Sequence, residues 1–480
     1  MPPDASDARL RLSDELVRQL VAEYGTPLYV LDEAHLRARI SAYREAFLAA
    51  YPSTELVYAA KANSALAVLR IAHQAGCMID VASEGELRAA LAAGVPAQRC
   101  LLHGNAKSVD ELSFAMQAGV GFVVVDSFPE IDRIFELTQG RPGGERLRCP
   151  DLLLRLAPGV DPVTHAKIAT GQADTKFGFN IANGAAHRAV CILQGLGLPL
   201  VGFHCHVGSQ LLDPEAQRVG GELIARFAVE MLYRRKLVTR VLNLGGGLGV
   251  RYLDGQRPTP VDEYCRLVVD SVRPVLDEVG LTPKLMQEPG RSIVAESGVT
   301  LYTIQVVKTV PSPTKGLRSY VSVDGGLADN PRPALYQARY TVLHTAAAGA
   351  GTDDTHREDW TSALGIEGAE GDAATEHAFD TGPGNLARRL GMPTGLFTVA
   401  GRHCETDMLF EDVELPSGTK EGDHLQALCT GAYNASMASN YNRYPRPAMV
   451  LLRDDGTRAL IQSRETWDQV LARELLPEGL

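Results

Sequence analysis

The chain is short of several things, and each shortage closes off a class of protein. Cysteine is sparse, with eight residues in 480 (Cys77, Cys100, Cys149, Cys191, Cys205, Cys265, Cys404 and Cys429), no CxxC and no zinc-ligand spacing. That excludes a disulfide scaffold and a zinc module, and it fits a reducing compartment. No apolar run is long enough to span a bilayer, so no membrane association is expected. Residues 1 to 20 interleave Asp4, Asp7, Arg9, Arg11, Asp14, Glu15 and Arg18 and leave no signal-peptide core, which points to the cytoplasm or to an organelle stroma reached by a cleaved transit peptide. Basic charge is also short. A formal net charge of -11 leaves no footprint for nucleic acid, and any anionic ligand must be held by local arginines and backbone amides.

What is present has a clear period. A chain of 480 residues is too long for one ordinary core, and two domains are expected. Short apolar runs begin at Leu56 (LVYAAK), Met78 (MIDVAS), Arg99 (RCLLHG), Gly121 (GFVVVDS), Asp151 (DLLLRLAPG), Leu200 (LVGFHCHVGS), Val241 (VLNLGGG) and Lys284 (KLMQEPG), with helix-length segments between them. Three of those helices open with S-x-x-E, at Ser83/Glu86, Ser108/Glu111 and Ser127/Glu130, which predicts capping boxes. Eight such units predict an α/β fold in which residues 45–300 close into a (β/α)8 barrel. Chemistry in such a barrel gathers at the C-terminal strand ends, where this chain carries Lys61, Asp80, His103, Arg155, His206, Gly245 to Gly247 and Glu288.

Beyond residue 300 the pattern alternates, as in VTLYTIQVVKTV (Val299 to Val310), SYVSVDGG from Ser319 and PAMVLL from Pro447. It predicts a second, mainly antiparallel β domain from 301–480 with a contribution from 1–44. The stretch 346–385, rich in Ala, Gly, Thr and Asp, reads as a mobile surface insertion.

Lys61, in YAAKAN after an apolar run, is the one amine placed like a cofactor anchor. Desolvation at a strand mouth would lower its pKa and free it to attack an aldehyde, of which pyridoxal phosphate is the commonest; alternatively the lysine snorkels from a strand end. GGGLG (Gly245 to Gly249) lets amides close around a phosphate, or serves only a turn. EPGRS sets the amide of Gly290 and the guanidinium of Arg291 beside it. Glu288 is either a structural carboxylate or the group that keeps a pyridine nitrogen protonated. HCHVGSQ predicts His204 and His206 on one face of a strand. A metal pair is disfavoured for want of a third ligand, a stacked imidazole suits His206, and His103 and His204 read as hydrogen-bonded core residues. No metal is expected.

Taken together, YAAKAN, DVASEGEL, HGNAKS, GVDPVTHAKIATGQADTKFGF, HCHVGSQ, GGGLG, EPGR, DNPRPALY, HCETD and GAYNASMASNYN resemble the pyridoxal-phosphate decarboxylases of the alanine-racemase-like fold (fold type III), in particular the branch acting on diaminopimelate. The resemblance runs from about Gly25 almost to the C-terminus. It implies that Lys61 forms the Schiff base, that His206 stacks on the ring and that Glu288 pairs with the pyridine nitrogen. It gives the phosphate to Ser209, the amides of Gly245, Gly246, Gly247 and Gly290, and the hydroxyl of Tyr433, with Asp80 and Arg291 also in the cofactor set. Arg291, Arg332 and Tyr336 correspond to a clamp on a distal carboxylate, Glu405 to the acceptor for the distal ammonium, and Tyr433 also faces substrate. Cys404 is the implied proton donor; with Glu405 it enters the partner's site, which makes the enzyme a homodimer with shared active sites. The implied reaction is decarboxylation of meso-2,6-diaminopimelate to L-lysine, the last step of that route to lysine.

Two features depart from the family pattern. HCETD is one residue shorter than usual before its Asp, so Asp407 is given no role, and the 346–385 insertion is longer than the usual connection. Rival readings are an ornithine, arginine or carboxynorspermidine decarboxylase of the same fold, a racemase, and a non-catalytic regulatory homologue. DNPRPALY argues against the first two substrates, because a carboxylate clamp is wasted on a purely cationic end. A racemase typically sets an arginine, not a glutamate, against the pyridine nitrogen.

Overall fold

A computed structural model describes residues 7–140, 145–160, 175–312, 316–347, 394–406 and 408–480. Most of the 346–385 segment, and Asp407, lie outside the described residues.

The eight apolar runs are strands, and they close into a barrel. In chain order, β1 (Leu28–Asp32) belongs to the second domain and β2 (Thr54–Ala59) opens the barrel. It is followed by β3 (Met78–Val81), β4 (Cys100–Leu102), β5 (Phe122–Val125) and β6 (Asp151–Ala157). A two-residue β7 (Phe179–Asn180) pairs only with β6, and the wall resumes with β8 (Leu200–His204), β9 (Val241–Asn243) and β10 (Lys284–Gln287). Every pairing in the wall is parallel, and β10 returns to β2.

Side-chain alternation then decides what the barrel contains. One buried apolar residue from each strand fills its interior: Val57, Met78, Leu101, Val124, Leu153, Val201, Val241 and Met286. The residues between them, such as Tyr58, Ile79, Leu102, Leu152, Phe203 and Leu285, face outward and join the main core with the helices. Two residues beyond the interior layer, the same faces present Asp80, His103, Asp126, Arg155, Asn243 and Glu288, all buried. The β6–β8 register is irregular, and His204 is the residue that β8 adds to this polar layer.

Two of the three expected capping boxes form only in half. Ser83 accepts from the Glu86 amide and Ser108 from the Glu111 amide, but Glu86 accepts from Ala82 N and Glu111 from Glu84 N. Ser127 makes no side-chain cap at all. Glu130 is instead buried against Lys107, 2.8 Å away, and accepts from Asp126 N. That carboxylate is shared between a buried ammonium and the amide one residue ahead of the expected cap.

The second domain is a nine-stranded sheet. It comprises β11 (Gly298–Ser312), β12 (Gly316–Val323), β13 (Val342–Thr345), β14 (Thr394–Ala400), β15 (Met408–Pro416), β16 (His424–Leu428), β17 (Ala448–Leu452) and β18 (Arg458–Gln462), with β1 between β11 and β17. Pairings are antiparallel except β1 with β17 and β12 with β14. Among the described residues no helix is long and apolar enough to cross a membrane.

Candidate active site

Lys61 sits in a one-turn 3-10 helix, Ala60–Ala62, directly after β2. The second domain stitches that turn down: Ser436 Oγ donates to the Lys61 carbonyl at 3.0 Å, Tyr433 N to the Ala62 carbonyl at 2.7 Å, and Asn63 Nδ2 to the Gly431 carbonyl at 3.0 Å. The amine enters a cavity whose wall also includes His206, Ser209, Gly247, Glu288, Gly290, Arg291 and Tyr433. Its pKa does not fall as the sequence suggested. Burial pulls it down, but Asp80, Tyr433 and Glu288 outweigh that and hold it above the ordinary lysine value. The carboxylates responsible come from β3 and the end of β10, which linear spacing cannot pair with residue 61.

Glu288 is the buried anion of the site. Its Oε1 meets His103 Nε2 at 2.8 Å and accepts from Asn243 Nδ2 at 2.6 Å, while Oε2 meets His204 Nε2 at 3.1 Å. Burial alone would protonate it, yet this ring of donors holds its pKa well below the carboxylate range. Burial draws His204 down to about 4, so at neutral pH it serves Glu288 as an N–H donor, not a counter-ion. Asp80, 3.7 Å from His103, shifts the other way: burial raises it, and Glu288 adds to the rise. His103 and His204 are therefore core histidines whose hydrogen-bond partner is the site carboxylate. The HxH pair itself does not gather a metal set: the one cluster of potential ligands among the described residues is His103, His204 and Glu288, with donor atoms within 4.8 Å of one another, and His206 is not part of it. Both imidazoles are engaged with the carboxylate at hydrogen-bond distance, and we assign the trio to holding that charge.

His204 and His206 do not share a strand face, because β8 ends at His204. The chain leaves the sheet there, and His206 reaches the cavity from the following loop, its pKa pushed well down by burial and by Lys61. The glycine turn is a close-fitting cradle. A Cβ on Gly246 would lie 2.2 Å from the Glu288 carbonyl, and Gly247 combines φ of +132° with 2.6 Å to the Gly208 carbonyl. Two of the four amides assigned to phosphate have other partners here: Gly245 N donates to Asn243 Oδ1 and Gly246 N to His206 Nδ1, while Gly247 and Gly290 line the cavity. Arg291 Nη2 donates to Ser209 Oγ at 3.0 Å, and its guanidinium lies 4.7 Å from the Tyr433 ring centre.

Arg332, buried at the start of the short helix Arg332–Tyr336, donates from Nε to Tyr340 Oη at 2.8 Å and faces the rings of Tyr336, Tyr433 and Tyr252 at 5.5 to 5.7 Å. Cys404 and Glu405 are exposed and do not line the Lys61 cavity of their own chain. Cys404 N donates to Asn442 Oδ1, and Tyr441 Oη donates to Glu405. Asn243, Asp126, Tyr252 and Ser436 were not singled out from sequence. For the first two the signal is the two-residue offset from the barrel interior layer.

An amine at a barrel mouth, a hydrogen-bonded carboxylate opposite it and a glycine cradle that no Cβ fits define a barrel enzyme of the pyridoxal-phosphate class. A family model described as "Pyridoxal-dependent decarboxylase, pyridoxal binding domain" matches residues 34–295. Diaminopimelate decarboxylase of Bacillus subtilis is 39% identical over 459 residues, covering 95% of this chain and 93% of that protein. The enzyme of that name from Actinosynnema pretiosum is 40% identical over 467 residues, covering 95% and 90%. The crystal structure of diaminopimelate decarboxylase from M. jannaschii with L-lysine superposes with a TM-score of 0.79 at 29% identity, covering 99% and 98%. The chain belongs to the pyridoxal-dependent decarboxylase family and, within it, to the diaminopimelate decarboxylases.

Proposed function

We propose that this protein removes the carboxylate at one end of meso-2,6-diaminopimelate to give L-lysine and carbon dioxide, with pyridoxal phosphate as cofactor. One observation carries the reading: a single cavity joins the Lys61 amine, the Glu288 carboxylate and the guanidinium of Arg291, with Arg332 buried 5.7 Å from the ring centre of Tyr433, which lines that cavity. When bound, pyridoxal phosphate supplies the sink for the electron pair released with carbon dioxide. Lys61 is the amine that carries it. Glu288 would keep the ring nitrogen protonated, and the donors around Glu288 keep it ionised for that purpose. His206 would pack against the ring, and Ser209, Gly247, Gly290, Arg291 and Tyr433 would take the phosphate.

Arg332, with Arg291 and Tyr336, grips the carboxylate at the end of the substrate that does not react. Its neighbours are phenols, which leave its charge for an incoming anion. Cys404 donates the proton that replaces the lost carboxylate, and Glu405 accepts from the distal ammonium. Both act in the cavity of a second copy, so the working unit is a homodimer with shared sites. All eight thiols are free, which suits a cytoplasmic enzyme.

The test is carbon dioxide release from the cofactor-loaded protein supplied separately with meso-diaminopimelate, ornithine, arginine and lysine. Release from the first alone is expected. Preference for ornithine or arginine would overturn the substrate while leaving the cofactor in place.

A further inference from the structure

The two arginines given to the distal carboxylate come from different domains. Arg291 opens the turn after β10 and Arg332 opens a short helix of the β domain. Tyr252 joins them. Its hydroxyl accepts from Arg291 Nη1 at 2.6 Å, and the Arg332 guanidinium lies 5.7 Å from its ring centre. Its ring also meets Tyr340 edge to face at 5.3 Å, and Tyr340 Oη in turn accepts from Arg332 Nε. Tyr252, Tyr340 and Arg332 thus close a triangle to which Arg291 is tied through the Tyr252 hydroxyl, with Tyr252 only 5% exposed.

The loop carrying Tyr252 is fixed as firmly as its side chain. Arg9, its guanidinium fully buried, donates to the Tyr252 carbonyl at 3.2 Å and pairs with Asp254. Thr341 N and Oγ1 donate to the same carbonyl, and Tyr252 N donates to Gln256 Oε1 at 2.9 Å. Two guanidiniums that share one aromatic neighbour repel each other, and left alone they would drift apart. A phenol oxygen facing one and a ring face toward the other offset part of that repulsion.

We propose that Tyr252 is a positioning residue for substrate specificity: it holds Arg291 and Arg332 at the spacing that grips one carboxylate. This deepens the function above and rests on its distal-carboxylate reading. Tyr252→Phe in the holoenzyme keeps the ring and removes only the hydroxyl. Decarboxylation at one end leaves the other untouched, so L-lysine still carries the carboxylate the arginines hold, whereas cadaverine lacks it. Inhibition constants for both, with KM and kcat for meso-diaminopimelate, separate positioning from general damage.

In Tyr252→Phe the lysine inhibition constant and KM should rise roughly tenfold to 150-fold, the loss of one hydrogen bond to a charged group. The cadaverine constant, kcat and cofactor absorbance should move less than about threefold. A lysine-to-cadaverine ratio equal to wild type, or a parallel rise in both constants, overturns the role of Tyr252 alone. A wild-type enzyme that binds cadaverine as tightly as lysine overturns the distal-carboxylate reading and this inference with it.

Discussion

His103 Nε2 lies 2.8 Å from Glu288 Oε1, although the two residues are 185 positions apart and leave the barrel on β4 and β10. With Asn243 and His204 it surrounds the carboxylate with donors, so Glu288 stays ionised in a place where burial favours the acid. In Glu288→Gln one amide hydrogen must face one of those three donors. Cofactor should still bind, since Lys61 and the glycine cradle are intact, but turnover should fall by roughly a hundredfold or more. Steady-state rates on cofactor-saturated protein decide it, and an unchanged rate would mean that another group serves the ring nitrogen.

Lys61→Ala should abolish both decarboxylation and cofactor trapping by borohydride. Mass spectrometry of the reduced protein reads the result; a modified lysine elsewhere would move the anchor.

Arg332→Ala should leave cofactor absorbance intact and lower kcat/KM on meso-diaminopimelate. Stranding a desolvated carboxylate costs about 2 to 5 kcal/mol, or roughly thirtyfold to several thousandfold. Unaltered efficiency would remove Arg332 from the substrate site.

Mixing inactive Lys61→Ala and Cys404→Ala proteins should restore activity if the sites are shared. A mixed dimer has one site with both defects and one with neither, so random exchange gives at most about a quarter of wild type. No recovery after verified exchange would place both residues in one subunit's site.

His204 carries a stability signature. Its pKa falls from 6.5 to about 4 on folding, so between those values the unfolded chain binds the extra proton and acid favours unfolding. Stability from this group is complete above pH 6.5 and is lost as pH falls toward 4, at most about 3 kcal/mol in all. Denaturant melts of His204→Gln against wild type at pH 7, 6 and 5 should converge as the pH drops. Parallel curves would rule the residue out.

How much of this could be read from the chain follows from where each signal lies. Lys61, Gly247, Gly290 and Arg291 stand at the ends of apolar runs or in glycine turns, and those patterns are local. The eight strands were visible for the same reason. His103, Asp126 and Asn243 each look like one polar residue at the edge of an apolar run, and only closure of the barrel shows that they face the same interior. The direction of the Lys61 shift was missed on that account, because Asp80 and Glu288 act on it across the barrel mouth. Tyr252 had no signal at all: its partners are a guanidinium 39 positions later and an N-terminal arginine 243 positions earlier. Ser127 had a strong local signal, but its side chain makes no cap, and Glu130 is held by a buried lysine from the loop after β4 together with the Asp126 amide.

The place of β1 bears on how the molecule is assembled. It lies parallel to β17 and antiparallel to β11, yet the chain leaves it directly for the helix Glu33–Ala50 that packs on the barrel. On the ribosome this strand emerges first and must wait for about 270 further residues before β11 exists and about 420 before β17 does, with the whole barrel made in between. The β domain therefore closes last and around a strand threaded in from the start of the chain. Cutting ahead of β11, between residues 297 and 298, would yield no free-standing second domain, and a permuted gene that moved residues 7–32 behind residue 480 would let it fold as one uninterrupted piece.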